Sequence, residues 1–203
     1  MCQFALILKV PFLTSSFCTM VGMTVVSPGL PDFNIYDIRL PCERMGLCYP
    51  DDHLWQLLNT YEYREAMNIP ATDGTLWEEC ASLPHLTLMF DFENSFGFKL
   101  APVLDAGLPV LIYNGDQDYI CNWIGGYAWT NALVWDGQQE FARSYMRDWQ
   151  APTIGDTGGQ VKSFENFTFL RVNQAGHMVP TDQPEVAYDM IMEFIRTKTI
   201  SAS

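Results

Sequence analysis

The stretch LPVLIYNGDQD, residues 108–118, joins a short apolar run to a turn-forming segment. The run over residues 108–114 shows no alternation of polar and apolar positions, which is typical of a strand buried on both faces of a parallel sheet. The run ends at Asn114-Gly115-Asp116, a combination that favours a turn. The stretch therefore predicts a buried strand followed by a loop, the basic unit of an α/β sheet.

The residues after this strand predict a succession of further elements. Trp123–Leu133 and Gln139–Trp149 have helical patterns, and Gly158-Gly159 indicates a turn. Residues 160–164 (QVKSF) and 167–172 (FTFLRV) are expected to form paired strands. The order strand, helix, helix, strand, helix places the chain in the α/β class.

The end of the chain predicts an amphipathic closing helix, and Asp182 with Glu185 three residues later suits the start of that helix. Its apolar face follows the i, i+3, i+4, i+7, i+8 rule at Ala187, Met190, Ile191, Phe194 and Ile195. Upstream, the spacing of apolar residues over Asp52–Met67 predicts one more helix.

Composition narrows the functional class. Apolar residues make up 48% of the 203 residues, enough for a sizeable core. The formal net charge is −13 with 11 Lys and Arg, which argues against a nucleic-acid partner. We expect no membrane span, because no window holds 18 uninterrupted apolar residues. The apolar N-terminus, with Lys9 inside it, fits either a poor signal sequence or a buried segment.

The six cysteines contain no C-x-x-C pair and no zinc-type spacing with histidine. The sequence as a whole implies no metal or organic cofactor. Cys42 and Cys48 flank a short loop with Gly46, which favours a local disulfide; two reduced thiols are the alternative. Asn166-Phe167-Thr168 is a glycosylation sequon, so Asn166 is a candidate for modification on the secretory route.

Two loops carry side chains suited to catalysis. NGDQDYICNW holds Asp116 and Asp118 after the first strand, and NQAGHMVP holds His177 after the last strand. Sites in open α/β sheets gather at the carboxyl ends of strands. An Asp that binds one imidazole nitrogen leaves the other nitrogen to accept a proton from a serine. By spacing alone, ordinary turn roles for these residues remain the alternative.

Three segments in this order resemble the serine carboxypeptidases of the carboxypeptidase Y type. They are NIYDIRLPCERMGLCY (34–49), LPVLIYNGDQDYICNWIGGYAWTNAL (108–133) and FTFLRVNQAGHMVPTDQPEVAYDMI (167–191). The resemblance implies the C-terminal portion of an α/β-hydrolase fold with an incomplete sheet. It also implies removal of C-terminal residues from peptides or proteins, in a vacuole or lysosome or outside the cell.

The resemblance assigns roles residue by residue. Asp118 and His177 match the catalytic acid and base, and Asp116 is then a turn or capping residue. Cys121 and Met178 match residues that line the substrate pocket. Cys42 and Cys48 match a family disulfide, and Cys80 matches a cysteine whose upstream partner has no counterpart in these 203 residues.

The family's nucleophilic serine has no match in this sequence. The family places it in G-E-S-Y-[AG]-G, and no G-x-S-x-G occurs here. The nearest stretch, ENSFG, has Glu93 where a glycine permits the sharp turn, so Ser95 is not expected to be a nucleophile.

These observations predict three regions. Residues 1–33 are an apolar segment without a family counterpart, residues 34–105 are a disulfide loop and a remnant of the cap, and residues 106–203 carry the Asp and His loops. We expect a serine-type carboxypeptidase fragment that is inactive alone and has a missing N-terminal half as its partner. The alternative is a non-catalytic remnant that binds peptides or another subunit.

Overall fold

The computed structural model describes five parts of the chain, namely residues 33–42, 48, 52–79, 81–92 and 96–202. Expectations for residues 1–32, Cys80 and Ser95 lie outside the described residues. The chain forms two compact units. One comprises residues 1–30 and 46–94, and the other comprises residues 31–45 and 95–203.

The first unit contributes three described helices, α1 (Asp52–Leu58), α2 (Tyr61–Ala66) and α3 (Ser82–Phe92). The strands of the second unit are β1 (Phe33–Asn34), β2 (Asp37–Pro41), β3 (Val110–Gly115), β4 (Arg147–Ala151), β5 (Asp156–Phe164) and β6 (Phe167–Val172). Its helices are α4 (Ala101–Asp105), α5 (Trp123–Ala132), α6 (Gln138–Arg143), α7 (Val179–Asp182) and α8 (Pro184–Thr197). None of the described helices is long and apolar enough to cross a bilayer.

The second unit is built on a four-stranded mixed sheet in the order β3-β6-β5-β4. β3 and β6 are parallel, with Val110 opposite Phe167 and Gly115 opposite Val172. β5 pairs antiparallel with both β6 and β4. A separate antiparallel pair, β1 with β2, forms a short hairpin. Strands and helices in this combination confirm the predicted α/β class.

Apolar clusters cover both faces of this sheet, as the apolar run of β3 predicts. Side chains on β6 alternate between the faces: Leu170 and Val172 join one cluster, and Phe167 and Phe169 join the other. The first cluster packs against α8 through Val186, Ala187 and Met190. The second packs against α4 and α6 through Leu104 and Phe141. The sheet is therefore the middle layer of the second unit.

The single helix predicted over Asp52–Met67 is wrong, because the helix is interrupted at Asn59-Thr60. Thr60 has extended dihedral angles and caps α2, its hydroxyl accepting a hydrogen bond from Tyr63 N at 3.3 Å. Asn59 binds the backbone of Trp77 through both ends of its amide, at 2.7 and 3.1 Å. Side chains that compete for backbone groups end one helix and start the next.

The helix predicted over Gln139–Trp149 is half correct. α6 ends at Arg143, and the chain continues as strand β4 from Arg147. Trp149 and Ala151 alternate with exposed positions in β4 and are fully buried against β5 and α8. Burial of these two side chains in the sheet outweighs the helical pattern of the segment.

The turn predicted at Gly158-Gly159 is wrong, since both glycines lie inside β5. A Cβ on Gly159 would approach Arg171 O of the neighbouring strand to 2.2 Å, and one on Gly158 would meet Trp149 at 2.8 Å. Gly159 therefore allows β6 to approach closely, and Gly158 leaves room for the Trp149 side chain. Neither glycine reverses the chain.

The closing helix is confirmed as α8, but its apolar residues divide between two faces. Ala187 and Met190 are buried, whereas Ile191 and Ile195 are 41% and 58% exposed. Asp182 does not cap the helix: Gln183 occupies the N-cap without a side-chain hydrogen bond. Asp182 is instead used by the loop that precedes His177.

Candidate active site

Two loops meet at one edge of the sheet. Because β3 and β6 are parallel and in register, the segments that follow them leave the sheet at the same edge. We call residues 116–122 the Asp118 loop and residues 173–178 the His177 loop. Asp116 N donates to Val172 O at 3.0 Å, and Gln117 N donates to Ala175 O at 2.8 Å. These backbone contacts join the loops directly.

Gly115 makes this close approach possible. A Cβ at this position would lie 2.2 Å from both Ala175 O and Gly176 O. Backbone carbonyls cannot move aside cheaply, so a side chain here would push the His177 loop away from β3.

Asp118 and His177 are in direct contact. Oδ2 of Asp118 lies 2.9 Å from Nδ1 of His177. The Asp118 side chain is 3% exposed and the His177 side chain is 38% exposed. Oδ1 of the same carboxylate accepts a hydrogen bond from Cys121 N at 3.1 Å. A buried carboxylate held at both oxygens, with an accessible imidazole against it, can fix one tautomer and leave Nε2 for proton transfer.

The other residues of interest are arranged around this pair. Asp116 is half-buried, and its Oδ1 accepts a hydrogen bond from Gln117 Nε2 at 3.0 Å. Cys121 is a free, exposed cysteine, and Met178, beside His177, is 46% exposed. Partial burial of the thiol raises the pKa of Cys121, and the charge of Asp118 adds to this effect. A raised pKa makes the thiol less prone to form the reactive thiolate.

Asp118, Cys121 and His177 also offer three metal-ligand atoms within 4.8 Å of one another. An oxygen, a sulfur and a nitrogen donor form a set that Zn²⁺ accepts. The sequence spacing gave no indication of this grouping, because His177 reaches it from a distant loop. A cation bound there would compete with His177 for the Asp118 carboxylate.

The β1–β2 hairpin contacts both loops, and the sequence patterns did not single out its residues for this role. Ile35 O accepts hydrogen bonds from Tyr119 N and Ile120 N at 3.2 and 3.1 Å, and Ile38 N donates to Gln117 O at 3.0 Å. These main-chain groups carry no side-chain signature, so no motif could have revealed them.

The hairpin also reaches the His177 loop. His177 N donates to Tyr36 O at 2.7 Å, and the Tyr36 ring lies 5.3 Å from the imidazole, centroid to centroid. The hairpin thus contacts the backbone on either side of the Asp118–His177 pair.

Cys42 and Cys48 form the expected disulfide. The side-chain amide of Asn166, the residue of the glycosylation sequon, is already hydrogen-bonded within the chain. Its Nδ2 donates to Leu104 O at 2.9 Å and to Leu108 O at 2.7 Å. The amide nitrogen that a glycan would modify therefore anchors the segment between α4 and β3 in the folded chain.

Comparisons with known proteins point to one family. A family model described as serine carboxypeptidase matches residues 15–197. Carboxypeptidase Y homolog A of Leptosphaeria maculans is 41% identical over 165 residues, which cover 80% of this chain and 30% of that protein. Carboxypeptidase Y of Saccharomyces cerevisiae is 39% identical over 169 residues, with the same two coverages.

The fold is also found in a solved carboxypeptidase structure. Kex1(delta)p, a prohormone-processing carboxypeptidase from Saccharomyces cerevisiae, superposes with a TM-score of 0.63 at 24% identity. The match covers 81% of this chain and 36% of that one. The chain thus spans about a third of the length of the proteins it matches. Because the family model spans most of its residues, the chain belongs to the serine carboxypeptidase family and corresponds to the C-terminal part of its members.

Proposed function

We propose that the chain supplies the acid–base half of a serine carboxypeptidase that removes C-terminal residues from peptides. In this proposal Asp118 orients His177, and His177 takes the proton from a serine hydroxyl and returns it to the leaving amine. The observation that carries the proposal is the 2.9 Å contact between Oδ2 of Asp118 and Nδ1 of His177. The contact lies where the segments following two parallel strands meet, the usual place for a site in α/β folds.

The nucleophile belongs to a different segment in this proposal. No G-x-S-x-G occurs in the 203 residues, so the serine and the oxyanion hole come from outside them. The sheet β3-β6-β5-β4 is then one end of an α/β-hydrolase sheet, and β3 is the strand that the missing part pairs with.

Cys121 and Met178 are proposed to line the substrate pocket. Both residues are exposed: Cys121 lies three residues after Asp118, and Met178 directly follows His177. A soft, adaptable methionine beside the base suits contact with varied peptide side chains. Vacuolar or secreted localisation is proposed from the relatives, among them a vacuolar serine-type carboxypeptidase of Saccharomyces cerevisiae that is 39% identical.

Complementation tests the proposal. The chain is co-expressed with the part of yeast carboxypeptidase Y that it does not cover, and release of the last residue from a blocked dipeptide is measured. We expect turnover by the complemented chain and none by the chain alone. Asp118→Asn should lower kcat by about 10⁴-fold, and His177→Ala by on the order of 10⁴–10⁶-fold.

The matched control is His53→Ala, which removes an exposed histidine on α1. It should leave turnover unchanged. Retention of full turnover by His177→Ala in the same complemented protein would contradict the proposal.

A further inference from the structure

We infer that the β1–β2 hairpin positions His177 against Asp118, with Asp37 and Arg39 as the positioning residues. The hairpin lies far from both loops in sequence, yet its backbone contacts each of them. The functional meaning of this role rests on the function proposed above, in which His177 is the base. The contacts themselves do not depend on that function.

Asp37, which is buried, and Arg39, which is exposed, form an ion pair beside the His177 loop. Asp37 is 1% exposed, and its Oδ1 accepts hydrogen bonds from Nε of Arg39 at 2.8 Å and from Arg39 N at 3.0 Å. Nη2 of Arg39 binds the other carboxylate oxygen. A carboxylate that holds a guanidinium through both oxygens fixes its direction as well as its charge.

The fixed guanidinium then holds the backbone just before His177. Nη1 of Arg39 donates to Gln174 O at 2.9 Å. Gln174 has a φ of 56°, in the left-handed region, which costs a side-chain-bearing residue energy unless its surroundings hold it there. The Arg39 contact supplies such a constraint two residues before Gly176.

Asp182 closes the arrangement from the other side. Its Oδ2 accepts a hydrogen bond from Gly176 N at 2.7 Å and lies 3.9 Å from Nη2 of Arg39. Gly176 packs directly on the hairpin, since a Cβ there would lie 2.4 Å from Tyr36 O and 2.8 Å from Asp37 Cβ. The residue before His177 is thus held by a hydrogen bond on one side and by the hairpin on the other.

This arrangement restricts the His177 backbone rather than the imidazole itself. Small shifts of a backbone change the side-chain position enough to lengthen a hydrogen bond, and positioning errors of about 1 Å cost catalysis about 10²-fold. Asp37 and Arg39 act through the loop, so they are positioning residues and not catalytic ones.

Nuclear magnetic resonance of the 203-residue chain tests the inference without a serine. The probes are the Nδ1 proton of His177, which reports the bond to Asp118, and amide exchange at Gly176 and His177. Arg39→Met removes the guanidinium but keeps most of the stem, and Arg39→Lys keeps the charge. Arg196→Met, which removes an exposed arginine near the end of α8, is the matched control.

We expect Arg39→Met to raise exchange at Gly176 and His177 by about tenfold or more relative to Leu170 in β6, and to weaken the Nδ1 signal. Arg39→Lys should restore part of both readouts, and Arg196→Met should change neither. Unchanged exchange in Arg39→Met, or an equal increase at Leu170, would overturn the inference. Failure of the complementation assay alone would count against the proposed function and not against the positioning role.

Discussion

Gly176 illustrates how a single hydrogen atom in place of a side chain sets the position of His177. Its Cα faces the hairpin so closely that even a methyl group would meet backbone atoms. The sequence indicates a turn before His177, but it cannot indicate what the turn touches. The hairpin that it touches lies about 140 residues earlier in the chain.

Gly176→Ala should therefore destabilise the second unit by about 1–3 kcal/mol, because backbone atoms of the hairpin must shift. Gly74→Ala is the matched control, since a Cβ at Gly74 meets nothing within 4 Å. The measurement is the free energy of unfolding in urea, followed by tryptophan fluorescence. Equal stability of the two variants would show that the contact yields easily.

The ion pair of Asp37 and Arg39 gives a second prediction at this scale. The hydrogen bonds from Arg39 hold the pKa of the Asp37 carboxyl below its usual value. A carboxyl with a lowered folded pKa stabilises the protein above the unfolded pKa, and that contribution is lost as the pH falls through the folded pKa. The pKa of the Arg39 guanidinium is raised, mainly by its hydrogen bonds to Asp37, and the negative charges of Asp182 and Asp116 add to this increase.

Asp37→Asn should accordingly cost about 1–3 kcal/mol near neutral pH, the usual range for a hydrogen bond to a charged group. The difference in free energy of unfolding from the unaltered chain should narrow once the pH falls below about 3.9, because the unfolded carboxyl takes up a proton there while the folded carboxyl, whose pKa is lower, stays charged. Urea unfolding of the variant and of the unaltered chain at a series of pH values measures the cost near neutral pH and its decrease at low pH. A difference that is constant with pH would contradict the assignment of the effect to this carboxylate.

At the scale of elements, β5 carries a buried lysine beneath two helices. Nζ of Lys162 binds the Asn131 side chain on α5 and lies 4.9 Å from the ring centroid of Tyr127 and 4.7 Å from that of Phe141. Burial lowers the pKa of Lys162 to about 8. The aromatic rings offset part of the cost of keeping the ammonium away from water.

Because the folded state releases the Lys162 proton before the unfolded state does, its contribution to stability should rise between about pH 8 and about pH 10. The gain is about 3 kcal/mol when the shift in pKa is converted to free energy. Lys162→Met should remove this rise while leaving the fold intact. The free energy of unfolding of both proteins across this range is the measurement, and parallel pH profiles would refute the interpretation.

Some elements follow from local pattern and others do not. β3, β6, α5 and α8 were predictable because each has a strong apolar pattern of its own. β4 was not, since its strand identity comes from burial of Trp149 against distant partners. The Asp118–His177 contact was expected from two loops after strands. The contact of the hairpin with the two loops escaped prediction, because main-chain hydrogen bonds and the long-range contact of Arg39 with Gln174 O have no local sequence pattern.

At the scale of the whole molecule, burial differs sharply between the two units. Among the described residues of the first unit, 48, 52–79 and 81–92, none whose exposure is described is buried. The second unit buries complete side chains of β6 on both faces of its sheet, Phe167, Phe169 and Leu170 among them. Units that bury little apolar surface open with low free energy.

Hydrogen exchange followed by mass spectrometry should therefore separate the two units. Peptides covering α1 and α2 should exchange faster than those covering β6 by on the order of 100-fold or more, after correction for intrinsic rates. Similar protection in both regions would indicate one cooperative unit instead of two.

The contacts that the β1–β2 hairpin makes through Ile35 and Ile38 use only peptide groups. Any residue other than proline brings the same amide and carbonyl to these positions, so substitutions there leave the hydrogen bonds available. Over evolution the hairpin can thus drift in sequence at Ile35 and Ile38 while the geometry that it imposes is inherited. Asp37 and Arg39 have less latitude, because their contact is made by side-chain atoms that most substitutions remove.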